Sequence, residues 1–461
     1  MGLIDSIVSA TLVSAYLGAG SAVNVNDLAP SLTAAGTTVT SKSSYVPPLF
    51  HGEIIQLTDQ ALADAAIQIH NATISDLFSF GTHANNTSES PGHLHSCKVL
   101  PGDPSWPSDD VWETSSSLLG NRLIRVVPLA ASCYPDWPNY NLESCATVVG
   151  QWLNSSLHTG DPTSIMYPLY EGRSCMASGF NYTGTCLQGA YPSFVVNAST
   201  VAQIQLAVNF ARNSNIRLVV KNTDHDFIGK GSGKGALSIW THWLKDKAYY
   251  PSFTAANGYQ GPAIKFGAGI QVFEAYEFAK GFGVTVIGGE AITVGLAGGY
   301  TAGGGRSPLS SLYGMAADQV LALEVVLADG SFVTATAKEN PDIYWILRGG
   351  GGSTIGVVVS LTTRVYAQLQ TTTATFNFTV ANTPSVDAFW SAVQSYIDNI
   401  ERFVDAGTFG YYDVVASAIE FGTDYTGDRD YYFRMQSFVA PNMTIPRLRS
   451  CWIPGSELSM S

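Results

Sequence analysis

The chain has 461 residues, a formal net charge of −13, 46% hydrophobic residues and 45 glycines, and only 13% of it is charged. An ordinary soluble chain is about 25% charged, so the composition excludes intrinsic disorder, which needs low hydrophobicity and high charge. It also argues against a nucleic-acid binder, because no basic stripe exists to neutralise phosphates.

The N-terminus opens with an apolar run from Ile7 to Val23 that ends in Gly20-Ser21-Ala22. This reads as a secretory signal peptide over residues 1–22, and the run is too short for a stable membrane span; a buried helix is the competing reading. Asn-x-Ser/Thr motifs follow at Asn71, Asn85, Asn86, Asn154, Asn181, Asn197, Asn377 and Asn442, and they point to passage through the secretory pathway. Six cysteines fit that compartment. Cys175 and Cys186 flank a short Asn- and Gly-containing segment and are expected to close a disulfide hairpin, while Cys451 is expected to stay unpaired. No Cys-x-x-Cys spacing exists, so zinc is not expected.

Residues 23–187 read as an N-terminal extension. Its first part is polar, with one helix near Asp59–His70. From Cys97 to Leu187 it is rich in cysteine, proline and tryptophan, a segment suited to covering a domain rather than forming one. Regular patterning begins near Tyr191. Phe194–Val196 is a strand pattern, and Thr200-Val-Ala-Gln203 is a capping box before the helical spacing of Val201, Ile204, Val208 and Ala211. Leu218–Val220 is a second strand, so a β-α-β unit leads into the loop Lys221–Gly235, and a strand Ala236–Trp240 follows. Strands at Ala263–Phe266, Val284–Ile287 and Ala322–Ala328 alternate with helices at Ile270–Phe282 and Pro341–Arg348. Beyond Leu369, the alternation of Thr373–Val380 and a helix over Ser385–Ile400 predict a second, smaller α+β unit, 369–461.

Three glycine-rich stretches carry the chemistry: Lys221–Gly235, Gly288–Gly305 and Arg348–Gly356, the last leading into the strand Val357–Leu361. Runs of backbone N–H in such loops make anion-binding concavities, and glycine lets a pyrophosphate come close. The first is not a Walker loop, since Gly233-Lys234 is followed by Gly235; Gly267-Ala-Gly269 lacks the third glycine of the dinucleotide fingerprint.

The segments Lys221-Asn-Thr-Asp-His-Asp-Phe-Ile-Gly229, Ser238-Ile-Trp-Thr-His242, Thr293-Val-Gly-Leu-Ala-Gly-Gly-Tyr300, Gly303-Gly-Gly-Arg-Ser-Pro-Leu309 and Trp345-Ile-Leu-Arg-Gly-Gly-Gly-Gly352 closely resemble fungal FAD-linked oxidoreductases. These form the berberine-bridge-enzyme-like branch of the vanillyl-alcohol-oxidase family, and isoamyl-alcohol-oxidase-like enzymes and chanoclavine synthases are members that the chain resembles. The resemblance implies an α+β fold: a two-subdomain PCMH-type FAD-binding domain, 188–368, followed by a partial α+β substrate domain. It implies FAD as cofactor, a small organic substrate and O2 as electron acceptor. By the same resemblance, Asn222, Thr223, Asp224, His225, Asp226 and Gly229 wrap the cofactor, with His225 in the position that commonly bonds the flavin covalently. Gly288, Gly289, Thr293, Gly295, Gly298 and Gly299 are expected along the diphosphate and ribityl chain, and Asp318, Gly356 and Val357 near the ribityl or adenine end. For Asp318 a helix-capping role competes.

The chain departs from the family pattern in several places. Ala291 stands where some members carry a second attachment cysteine, Asp224 stands where glycine is usual, and Arg306 replaces a frequent histidine. An Asp224 held at φ > 0 would be strained, and its carboxylate would repel a pyrophosphate. After about residue 446 the pattern is lost, so the chain reads as truncated, with its last strand expected at an exposed sheet edge. No residue matches the family's base; Tyr411, Tyr412, Glu420 and Tyr432 are candidates, set against the plainer reading of aromatic sheet residues. The expected activity is transfer of a hydride from a small organic molecule to flavin in fungal secondary metabolism such as alkaloid biosynthesis. A catalytically impaired flavin-domain remnant and an alcohol or carbohydrate oxidase are the alternatives.

Overall fold

Thr200 starts the central helix because its hydroxyl accepts the Gln203 N–H at 3.3 Å, while the Gln203 carboxamide reaches back to the Ser199 N–H at 2.9 Å. The helix, Val201–Asn213, is buried from Val201 to Ala211, so it lies inside the layer structure rather than on it. The computed structural model describes residues 45–68, 73–81, 97–177, 184–352, 354–416 and 431–452. The signal-like start, Asn71, Asn85, Asn86, Asn181 and Glu420 lie outside the described residues.

Around this helix a first sheet holds Leu123–Arg125 (β1), Phe194–Asn197 (β2), Leu218–Lys221 (β3) and Leu237–Trp240 (β4) in the order β1-β2-β4-β3. β2 and β3 each pair parallel to β4, with Phe194 and Leu218 both in register with Leu237, while β1 is antiparallel to β2. Next come Lys247–Thr254 (β5), Gln260–Gly267 (β6), Val284–Thr285 (β7), Val320–Leu327 (β8), Phe332–Ala335 (β9), Gly356–Arg364 (β10) and Tyr366–Ala367 (β11). Five of them make an antiparallel sheet in the order β5-β6-β10-β8-β9, and β7 pairs with β11 apart from it.

One hydrophobic core joins both sheets, from Val196 and Ile204 to Ile264, Phe266 and Val325. The N-terminal extension enters it. Ile55, Leu57, Leu62 and Phe78 belong to this core, and Trp112 stacks on Phe194 with centroids 3.9 Å apart. A boundary at residue 187 therefore divides the chain in sequence but not in packing. A buried ion pair fastens the extension: Lys265 Nζ lies 2.6 Å from Glu53 Oε2, and Ser360 donates to the same carboxylate. A buried charge is tolerated only when paired, so this contact fixes where the extension docks.

The last unit has its own core of Phe389, Val393, Phe403, Phe433 and Phe438. Thr371–Thr379 (β12), Phe409–Ala416 (β13) and Tyr431–Pro441 (β14) form an antiparallel sheet in the order β12-β14-β13, backed by the helix Val386–Asp398. The last strand is thus central, not an edge as the sequence led us to expect, because both β12 and β13 pair with it. The helix Ile445–Trp452 closes this core through Trp452, which meets Phe376 and Phe438 edge-on at 5.0 Å. Disulfides join Cys175 to Cys186 and Cys133 to Cys145, and Cys97 and Cys451 are free thiols.

Candidate cofactor site

The three glycine-rich stretches converge at the end of β3. The Asn222 side chain donates to Thr241 Oγ1 at 3.0 Å and to the Ala268 carbonyl at 2.6 Å, and its Oδ1, buried and without a partner among the described residues, faces Gly295. The Gly295 N–H donates to Thr223 Oγ1 at 3.2 Å, which ties the first stretch to the second. The third joins through the Gly351 N–H, 2.8 Å from the Ala302 carbonyl, and through Gly352, where a Cβ would stand 2.8 Å from the Gly299 backbone. Beside Gly299 itself there is open space.

His225 lies next to this strip. Its Nε2 is 2.7 Å from Thr293 Oγ1, and the Thr293 hydroxyl donates to Ser155 Oγ at 2.9 Å. Burial, and after it the positive Lys221, lowers the imidazole pKa to about 4, so the ring is neutral near neutral pH. Lys221 is fully enclosed, and its ammonium donates to the His158 carbonyl at 3.0 Å. Asp224 is buried at φ +62°, the conformation that glycine would take without strain; burial raises its carboxyl to about 7. Asp226 serves its own turn, accepting the Lys230 and Ile228 N–H groups.

The Trp-rich segment covers this loop. Tyr167 packs on Phe227 with centroids 4.2 Å apart, Tyr170 lies against Gly229, and the Ser232 hydroxyl donates to the Ala190 carbonyl at 2.8 Å.

Other expected residues lie in different surroundings. Gly288 and Gly289 pack against Tyr276 and Tyr300, and Tyr276 donates its hydroxyl to the Gly289 carbonyl at 2.8 Å. Asp318 accepts the Met315 N–H at 2.8 Å, the capping role. Gly356 and Val357 open β10 opposite Leu327 and Val326, and the Val357 side chain belongs to the core. Sequence reasoning missed Ser155, Lys221 and His242. The His242 ring stacks on Trp240 with centroids 5.5 Å apart, and its buried Nδ1 has no partner among the described residues.

The open space beside Gly299 leaves room for a diphosphate to approach the backbone, and the orphaned Asn222 oxygen offers an acceptor to a hydroxyl of a bound flavin. The model of the FAD-binding domain matches residues 192–336, the stretch that carries the first two glycine runs. The chain is similar to fungal FAD-linked oxidoreductases and to vanillyl-alcohol-oxidase-type flavoproteins. It is 41% identical to the FAD-linked oxidoreductase ZEB1 of Gibberella zeae over 68% of this chain and 54% of that protein. With the VAO-type flavoprotein oxidase VAO615 of Thermothelomyces thermophilus the identity is 39%, over 74% of this chain and 60% of the relative. The crystal structure of the VAO-type flavoprotein MtVAO615 from Myceliophthora thermophila superposes with a TM-score of 0.69 at 36% identity, covering 77% of this chain and 62% of that one. The chain therefore spans between half and two thirds of the length of these relatives.

FAD is the cofactor of this domain. Asn222, Thr223, His225, Thr293 and Gly295 are the expected residues that the fold brings together.

Proposed function

We propose that the chain is the flavin-binding part of an FAD-dependent oxidoreductase that oxidises a small organic substrate, with His225 as the covalent attachment point and O2 as the electron acceptor. Bound FAD supplies the two-electron acceptor for a substrate C–H bond. The chain's own residues supply position: Asn222 and Thr223 brace the glycine strip, and Tyr167 and Tyr170 of the covering segment pack against Phe227 and Gly229 of the loop. The observation that carries the reading is the meeting of three glycine stretches beside a neutral, half-buried His225. Because Ala291 replaces the cysteine used by some relatives, His225 is the one attachment residue offered by the family's two known positions.

The substrate side is suggested by the seam between the two units. The Arg306 guanidinium stacks over Tyr411 at 5.1 Å and Phe409 at 5.5 Å, and Ser437 donates to Glu290 at 2.6 Å across the seam. A cavity of about 310 Å³ opens there, lined by Tyr276, Lys280, Leu309, Thr371 and Val439. Tyr411 thus faces the FAD-binding side, whereas Tyr412 stacks on Phe433 inside the smaller unit. Of the candidates Tyr411, Tyr412 and Tyr432, Tyr411 is the one whose ring meets Arg306 at this seam, while Tyr432 lies in β14 between Thr379 and Val415.

A role in fungal secondary metabolism, such as alkaloid biosynthesis, rests on the family resemblance. Secretion and glycosylation rest on the signal-like start and the sequons, of which Asn154, Asn377 and Asn442 are exposed. No helix among the described residues is long and apolar enough to cross a membrane. A chain that binds FAD without turnover is the second reading.

Purification after expression in a secreting host tests these readings. Yellow protein whose flavin survives acid precipitation, and whose flavin absorbance bleaches with an organic substrate under anaerobic conditions, supports the main reading. Flavin that never bleaches favours the second, and colourless protein that cannot be loaded with FAD refutes both.

A further inference from the structure

We infer that Ser155, which lies outside the matched FAD-binding domain, is a positioning residue for the cofactor: through Thr293 it fixes the tautomer of His225 and leaves Nδ1 as the nitrogen available to the flavin. The inference rests on the reading of His225 as the attachment residue. The geometry is a three-membered chain of hydrogen bonds. The Thr293 hydroxyl donates to Ser155 Oγ at 2.9 Å, so the one proton of that hydroxyl is already committed. With the proton so placed, the oxygen accepts from His225 Nε2 at 2.7 Å, and the tautomer we infer carries the imidazole proton on Nε2. Nδ1 then keeps its lone pair; the hydrogen bond that His225 makes among the described residues is through Nε2.

The chain is held at its middle and at its Ser155 end. Thr293 is buried, and Gln271 Nε2 donates to its carbonyl at 2.9 Å. Ser155 opens the short helix Ser155–Gly160, whose His158 ring is clamped between Ser164 Oγ at 2.6 Å and the Trp152 carbonyl at 2.7 Å. Lys221, at the end of β3, then donates to the His158 carbonyl at 3.0 Å. The covering segment is thereby pinned to the strand that leads into the His225 loop, and Ser155 has a fixed place rather than a chance one.

The consequence concerns attachment chemistry. Attachment exchanges one C–H bond of the flavin's ring methyl for a C–N bond to Nδ1; the proton leaves to solvent, and the electron pair passes to the isoalloxazine and then to O2. Only a nitrogen with a free lone pair can form that bond. If Ser155 is lost, the Thr293 hydroxyl is free to donate to Nε2, the proton moves to Nδ1, and the attacking pair is blocked.

The test uses the full chain and two readouts other than turnover. The first is the 15N shift pattern of His225 before flavin loading. The second is the time course of conversion from dissociable to acid-stable FAD. In the wild type we expect an Nε2–H tautomer and acid-stable flavin. Ser155→Ala should shift the tautomer and slow conversion roughly tenfold or more, the scale of one lost hydrogen bond, with total bound FAD unchanged. Thr293→Val should also shift the tautomer and slow conversion, and Thr293→Ser and Ser155→Thr should restore attachment, which guards against a folding defect. Ser155 is the middle residue of the Asn154 sequon, so its substitution leaves that motif intact. If the wild type attaches FAD and Ser155→Ala does so at the same rate with the same tautomer, the inference is overturned alone. If wild-type flavin is wholly dissociable, the reading of His225 fails and takes the inference with it.

Discussion

Asn222 and Gly295 are fitted to each other so closely that a Cβ at position 295 would lie 2.0 Å from Asn222 Oδ1. The amide cannot swing away cheaply, because its nitrogen is held by Thr241 and Ala268. Gly295→Ala should therefore destabilise the fold by about 1–3 kcal/mol, the usual cost of overpacking. Gly299 is the contrast. Its Cβ would meet nothing within 4 Å, so Gly299→Ala should leave the melting temperature of the FAD-free protein unchanged. If the diphosphate runs along this strip, the same substitution should weaken FAD binding, read as a raised Kd in flavin fluorescence titration. Unchanged affinity would move the cofactor elsewhere.

Much of this site is legible in the sequence because it is local. The β-α-β unit shows in the spacing of Val201, Ile204 and Val208, and the unusual Asp224 shows in the loop motif, where the chain does hold φ +62°. Long-range partners left no such signal. Ser155 sits in a polar sequon with nothing to mark it, and only the fold carries it 138 positions along the chain to Thr293. The place of β14 between β12 and β13 is a matter of pairing rather than pattern, so chain order wrongly suggested an edge.

Asp224 predicts a pH dependence. Burial raises its carboxyl to about 7, above its value in the unfolded chain, so the folded state favours the proton. The stability that the neutral form contributes is present on the acid side and is lost as pH rises through about 7. A negative charge then appears in the phosphate loop, so FAD affinity should fall over the same window. Asp224→Asn tolerates the left-handed backbone and cannot ionise, so its FAD affinity should be flat across that range. Asp224→Gly should in addition relieve the strain and load flavin more fully. Titrations one unit below and one unit above that midpoint decide the matter; parallel curves for wild type and Asp224→Asn would refute it.

Glu324 makes the same argument where no cofactor is involved. It is buried in β8 with its carboxyl raised to about 8 by desolvation, which the nearby Lys265 only partly offsets, and it accepts the Thr334 hydroxyl at 2.7 Å. The folded pKa again lies above the unfolded one, so stability should decline as pH rises toward about 8. Glu324→Gln keeps the acceptor and removes the titration. Its melting temperature should match the wild type in acid, exceed it increasingly as pH rises from about 4.5 toward about 8, and keep a constant lead above that. A constant difference across pH would show that Glu324 is not the titrating group.

His225→Ala separates holding the cofactor from tuning it. The glycine strip braced by Asn222 and Thr223 is untouched by this change, so dissociable FAD should still bind, while acid-stable colour disappears. A covalent bond to a flavin raises its potential, so its loss should slow the chemical step more than it weakens substrate binding. In an active form of the protein, kcat should fall by more than KM rises, and the measured flavin midpoint potential should drop with it. Equal loss of kcat and bound flavin would mean that His225 acts by retention alone. Acid-stable colour that persists in His225→Ala would assign attachment to another residue.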